Sequence, residues 1–67
     1  MIKLAQVTMG EIYGLINDIR SCRSDLNREI IERETRKITE LSEYTIITIL
    51  EYCKELALKG KPMPWEE

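Results

Sequence analysis

Apolar residues return at intervals of three and four along most of this chain. A first series comprises Ile12, Leu15, Ile16, Ile19, Cys22, Leu26 and Ile30. A second series comprises Ile38, Leu41, Tyr44 with Thr45, Ile49, Tyr52 with Cys53, and Leu56. Because an α-helix brings residues three and four apart onto one side, each series predicts an amphipathic helix. With 67 residues, the chain is predicted to form one all-α domain over residues 1–67.

The first helix has a well-marked start. Thr8 and Glu11 have the spacing of a capping box, in which the Thr8 hydroxyl accepts a hydrogen bond from the Glu11 amide. We therefore predict a short N-terminal arm over residues 1–8 and a first helix over residues 9–36.

The second helix is bounded by residues that favour helix ends. Thr39 or Ser42 can cap its start through a side-chain hydroxyl. Gly60 suits the left-handed conformation in which helices commonly end, and a proline follows two residues later. We predict a second helix over residues 39–59 and an extended tail, containing two prolines and a tryptophan, over residues 60–67.

A turn near the middle of the chain would fold the two helices against each other. Residues 32–37 carry no apolar side chain, and a turn centred between Lys37 and Ile38 places Cys22 opposite Cys53. We therefore predict an antiparallel αα-hairpin. One continuous helix in a coiled coil is the alternative, although the same polar stretch would leave more than a turn of its seam without apolar contact.

The second helix carries more apolar residues than one partner helix can cover. In a lone hairpin Ile46, Ile47 and Leu50 would meet water, and such patches mark interaction sites. Gly14 lies inside the first helix, where glycine costs about 1 kcal/mol relative to alanine. This favours close approach by another helix or a ligand, although simple tolerance of glycine near a fraying helix end is the plainer interpretation. We therefore expect a homo-oligomer, most simply a four-helix bundle of two hairpins, with these four residues at the interface.

Five further residues are candidates for binding. Arg33, Arg36 and Lys37 can hold phosphate or carboxylate groups, although interleaved acidic residues make a solvated helix face the plainer interpretation. Tyr13 can stack on a ligand or pack its ring in the core or an interface. Trp65 can dock on another protein, or fold back over the open end of the hairpin.

The composition argues against an enzyme. The chain has no histidine, which excludes histidine-based acid/base and nucleophile arrangements, and its two cysteines cannot complete a four-ligand zinc site. We predict no catalytic residue, no metal and no cofactor. Two cysteines are also too few for a disulfide framework, and neither a signal peptide nor a membrane-spanning run is apparent, so we expect a cytoplasmic protein with reduced thiols.

No motif in the sequence specifies a biochemical activity. Our leading prediction is a small non-enzymatic helical interaction protein that binds and modulates another protein, as a homo-oligomer. One alternative is an oligomeric protein that binds or sequesters a small anionic ligand such as a nucleotide, with arginine and tyrosine side chains at subunit interfaces. Another is a nucleic-acid-binding regulator, for which a net charge of −2 offers little support.

Overall fold

A computed structural model describes residues 8–39 and 42–66. Its elements are α1 (Met9–Cys22), α2 (Arg28–Thr39), α3 (Glu43–Leu58) and a short 3-10 turn (Pro64–Glu66). The described residues contain helices and no strand, which confirms the predicted all-α class. Most of the predicted N-terminal arm, residues 1–7, lies outside the described residues.

The start of α1 agrees with the sequence prediction. Thr8 Oγ1 accepts a hydrogen bond from the backbone N–H of Glu11 at 3.2 Å. The start of α3 is capped in the same way, because Ser42 Oγ accepts from the backbone N–H of Thr45 at 3.4 Å. Of the two predicted caps for this helix, the hydroxyl of Ser42 is therefore the one in use.

The predicted continuous helix over residues 9–36 is wrong. The chain leaves the helix after Cys22 and begins α2 at Arg28. Asn27 Oδ1 accepts from the backbone N–H of Ile30 at 2.9 Å, so asparagine acts as a helix cap rather than as an interior residue. Leu26 lies in the connection and is buried, which preserves the apolar spacing that suggested an unbroken helix.

Helices α1 and α3 lie side by side and point in the same direction. Asp18 Oδ2 contacts Lys54 Nζ at 3.0 Å, which joins the later parts of the two helices. Beyond their ends, Arg23 Nη1 contacts Glu66 Oε1 at 2.8 Å. The C-terminal ends of α1 and α3 therefore meet at one end of the molecule, with α2 leading the chain from the end of α1 to the start of α3.

The predicted antiparallel hairpin is consequently not the observed arrangement. That register required Cys22 and Cys53 to face each other, whereas Cys22 is exposed and Cys53 is completely buried. The physical reason is the break before α2, which supplies a third helix that the two-helix register did not include.

One apolar core holds the three helices and the tail together. Its buried members are Ile12, Ile16, Ile19, Leu26, Ile31, Ile46, Ile47, Leu50, Cys53, Ala57 and Met63. Burying one such large apolar side chain stabilises a fold by roughly 1.5–3 kcal/mol. The expectation that Ile46, Ile47 and Leu50 would meet water is therefore not met, because all three are buried within the chain.

The tail after α3 folds back instead of running extended. Gly60 takes a left-handed conformation at φ 71°, and the N–H of Lys61 bonds the carbonyl of Leu56 at 2.8 Å, as in a Schellman end. Met63 is then fully buried, and Trp65 packs against the core. The predicted glycine cap is confirmed, while the extended form of residues 60–67 gives way to a packed turn.

Candidate functional site

The predicted binding residue Tyr13 is engaged within the chain. The guanidinium carbon of Arg28 lies 4.7 Å from the centre of the Tyr13 ring. Such a cation–π contact contributes about 0.5–1 kcal/mol at an exposed site. The same tyrosine packs half-buried against the core, so its ring is held between α1 and the start of α2.

The predicted basic residues occupy the solvent side of α2 and lie among carboxylates. Glu34 Oε2 forms ion pairs with Arg33 Nε at 3.3 Å and with Lys37 Nζ at 3.4 Å. Arg33 and Arg36 also border a shallow depression together with Glu29 and Glu32. Exposed ion pairs contribute little to stability, typically about 0–1 kcal/mol each. This face of α2 is therefore mixed in charge rather than basic.

The predicted binding residues do not converge on one site. Trp65 lies beyond the C-terminal end of α3, whereas Lys37 lies in the last turn of α2, which leads to the start of α3. Because α3 has 16 residues, these two positions are separated by a helix of about 24 Å. Trp65 and Lys37 therefore do not contribute to one compact ligand site.

An ion cluster fixes the tail against the end of α1. Arg23 donates to both carboxylate oxygens of Asp25 and of Glu66, and Glu66 Oε1 also accepts the Met63 N–H at 2.7 Å. The hydrogen bond from Arg23 lowers the pKa of Glu66, with help from the Met63 N–H, and the same guanidinium lowers the pKa of Asp25. Sequence reasoning missed this cluster because Arg23 and Glu66 are 43 residues apart and share no local pattern.

Two polar groups, the Thr35 hydroxyl and the Cys53 thiol, are buried in the core. The hydroxyl of Thr35 has no hydrogen-bond partner among the described residues, and burial raises the pKa of the Cys53 thiol to about 11. A thiol in this environment stays protonated at neutral pH and is a poor nucleophile. Among residues 8–39 and 42–66, no group of three potential metal ligands comes together.

A groove runs between α1 and α3, and all of its lining among residues 8–39 and 42–66 comes from these two helices. Its lining residues are Glu11, Gly14, Leu15, Asp18, Ile47 and Glu51, around a volume of about 300 Å³. The predicted close approach at Gly14 does not occur within the chain, since a Cβ built there would meet nothing within 4 Å. Gly14 instead opens onto this groove.

A second apolar surface lies on the solvent side of α3. Tyr44 and Tyr52 are exposed there, although the opposite side of the same helix is buried, and Leu58 is exposed in the last turn of the helix. Tyr52 and Leu56 also line a depression of about 260 Å³ against the folded tail, with Lys61, Pro62 and Pro64 on its other side. Large apolar groups therefore lie at the surface along much of α3.

Comparison with protein-family models, curated proteins and solved structures finds no significant match for this chain. In the part of the chain that the structure describes, no helix combines the length and the apolar character needed to cross a membrane. The function is therefore argued from the two surfaces just described, the groove and the solvent side of α3.

Proposed function

We propose that this chain is a small non-enzymatic helical protein that binds and modulates another protein. The observation that carries the proposal is the exposure of large apolar side chains on α3. Tyr44 is 60% exposed, Tyr52 is 52% exposed and Leu58 is 65% exposed. Tyr44 and Tyr52 occupy the side of α3 that faces away from its own core, and Leu58 lies nearer to the side of Ile47.

The chemistry of these side chains suits a protein interface. Tyrosine offers a large ring with few rotatable bonds and a hydroxyl that can hydrogen-bond at an interface edge. Aromatic residues are enriched in protein interfaces and often contribute most of the binding energy. Tyr44 and Tyr52 are eight residues apart, slightly more than two helical turns, so one partner surface can contact both.

The competing functions have weaker support. An anionic-ligand site was expected to use Tyr13 with Arg33, Arg36 and Lys37, but Tyr13 already lies under Arg28 and the other three lie among carboxylates. The same interleaved charge weakens a nucleic-acid role. Self-association was expected because a hairpin left apolar residues uncovered, and the three-helix core removes that need.

Site-specific photo-cross-linking tests the proposal in cells that produce the protein. A benzophenone amino acid in place of Tyr52 is expected to capture one protein, and Tyr44→Ser in the same chain is expected to abolish the adduct. The same photo-reactive residue in place of Arg33, on the charged side of α2, is the matched control. Equal sets of adducts from both positions, or an adduct unchanged by Tyr44→Ser, would contradict the proposal.

A further inference from the structure

We propose that the groove between α1 and α3 binds a basic amphipathic helix of a partner protein. The proposal rests on the proposed protein-binding function and names the chemistry of the partner. It concerns the groove lined by Glu11, Gly14, Leu15, Asp18, Ile47 and Glu51.

Gly14 is the first argument. It has ordinary helical geometry inside α1, where glycine is the least favourable residue except proline. An alanine would fit without any contact closer than 4 Å, so packing within the chain does not require glycine. The missing side chain deepens the groove instead, and a glycine or other small residue is what allows a second helix to approach closely.

The floor of the groove is the second argument. Leu15 from α1 and Ile47 from α3 provide an apolar strip that faces the groove. Leu58 lies eleven residues after Ile47, about three turns further along nearly the same side of α3, and is exposed. Since α1 and α3 run side by side in one direction, this strip is straight and matches the apolar side of a docked helix.

The rims of the groove determine the charge of the partner. Glu11 and Asp18 line one side and Glu51 the other, so three carboxylates border the apolar strip. Among the described residues, the lining itself contains no cation, and Asp18 holds the nearby Lys54 at 3.0 Å. The rim thus has three carboxylates and one nearby ammonium group, and its net charge is negative. A negative rim complements lysine or arginine side chains on both flanks of a docked helix.

Within the part of the chain that the structure describes, α2 does not cover this side of the α1–α3 pair. Helix α2 packs against both α1 and α3, yet it contributes no residue to the lining of the groove. A helix seated in the groove would therefore complete a four-helix arrangement around the α1–α3 pair. A second copy of this chain is a poorer occupant, because its basic residues on α2 alternate with Glu29 and Glu32.

Two synthetic helical peptides of equal length provide the probes. Both carry a leucine and alanine stripe, and they differ only in having lysine or glutamate on the flanks. By titration calorimetry we expect the lysine peptide to bind the wild type and the glutamate peptide not to bind. Gly14→Leu fills the groove and should lower the affinity for the lysine peptide by about tenfold or more. Gly10→Ala is the matched control, because its Cβ would make only an ordinary 3.7 Å contact with Thr8 Oγ1.

Several outcomes would overturn the groove proposal. Equal affinity for the two peptides would show that the charge of the peptide does not determine binding. If Gly14→Leu bound the lysine peptide as tightly as the wild type, the peptide would not bind in the groove. Sedimentation showing a wild-type dimer that Gly14→Leu dissociates would make a second copy the occupant. If Gly14→Leu binds the lysine peptide as tightly as the wild type while the cross-linker at Tyr52 still captures its partner, protein binding stands and only the groove proposal is wrong.

Discussion

Thr35 is the one described residue whose buried side-chain polar atom lacks a hydrogen-bond partner. It stands inside α2 with no solvent exposure, beside a core made otherwise of apolar side chains and the Cys53 thiol. The sequence could not indicate this burial, because threonine in a stretch of charged residues reads as part of a solvated face. The break before α2 turned Ile31 and Thr35 inward, four residues apart, and left Ile30 only half-buried.

Replacing Thr35 by valine is predicted to stabilise the protein. Valine keeps the shape of threonine and removes a buried hydroxyl whose lost hydration costs about 1–3 kcal/mol. We expect Thr35→Val to raise the free energy of unfolding by about 1 kcal/mol in urea denaturation. The control is Thr48→Val, since the exposed Thr48 hydroxyl donates to the Tyr44 carbonyl at 3.1 Å and no gain should follow. A loss of stability in Thr35→Val would show that its hydroxyl is satisfied.

The two cysteines are predicted to differ sharply in reactivity. Cys22 is exposed, whereas Cys53 is buried and its pKa is raised to about 11. A disulfide-exchange reagent at neutral pH should modify one thiol quickly and the second only after denaturant is added. In Cys22→Ser the fast phase should vanish. Two fast thiols in the folded wild type would contradict the burial of Cys53.

At the scale of elements, the residues that favour helix ends predicted the helix boundaries better than the spacing of apolar residues did. Thr8, Ser42 and Gly60 each end or begin a helix as their local chemistry predicts. Apolar spacing failed at Leu26, because a buried connection can continue the three-and-four pattern of a helix. The tail was missed for a different reason, since its position depends on a contact between Arg23 and Glu66 that no local pattern encodes.

The tail contact makes the stability of the protein depend on pH. Arg23 lowers the pKa of Glu66 below its ordinary value of 4.5 in the folded state. A carboxyl with a depressed folded pKa stabilises the fold above its unfolded pKa, and this contribution is lost as pH falls through the folded value. We therefore expect the free energy of unfolding to fall between pH 7 and pH 3, and to fall less in Glu66→Gln.

The matched control for that experiment is Glu55→Gln. Glu55 is well exposed and contacts only Lys59, one turn away at 3.5 Å. Its loss should leave the pH dependence close to that of the wild type, because exposed pairs contribute little. Identical pH profiles for Glu66→Gln and the wild type would show that the tail is not held by this carboxylate.

At the scale of the whole molecule, the decisive feature is that α1 and α3 run side by side in one direction. The all-α class followed from the sequence, since both apolar series have helical spacing. The relative direction of α1 and α3 did not follow from the sequence. Two helices joined by one tight turn can only be antiparallel, and the additional break between α1 and α2 was not visible in the apolar spacing. The missed helix changed the candidate interface too, moving it from Ile46 and Leu50, now in the core, to the groove and the outer side of α3.

A single spin-label experiment tests this arrangement most directly. The exposed Met9 at the start of α1 is replaced by cysteine in a Cys22→Ser background, labelled with a nitroxide, and amide signals are followed by NMR. Parallel α1 and α3 place the label near Tyr44, whose signal should broaden while that of Glu66 persists. Broadening at Glu66 with a sharp Tyr44 signal is the outcome of an antiparallel hairpin, and it would contradict the fold on which both proposed surfaces depend.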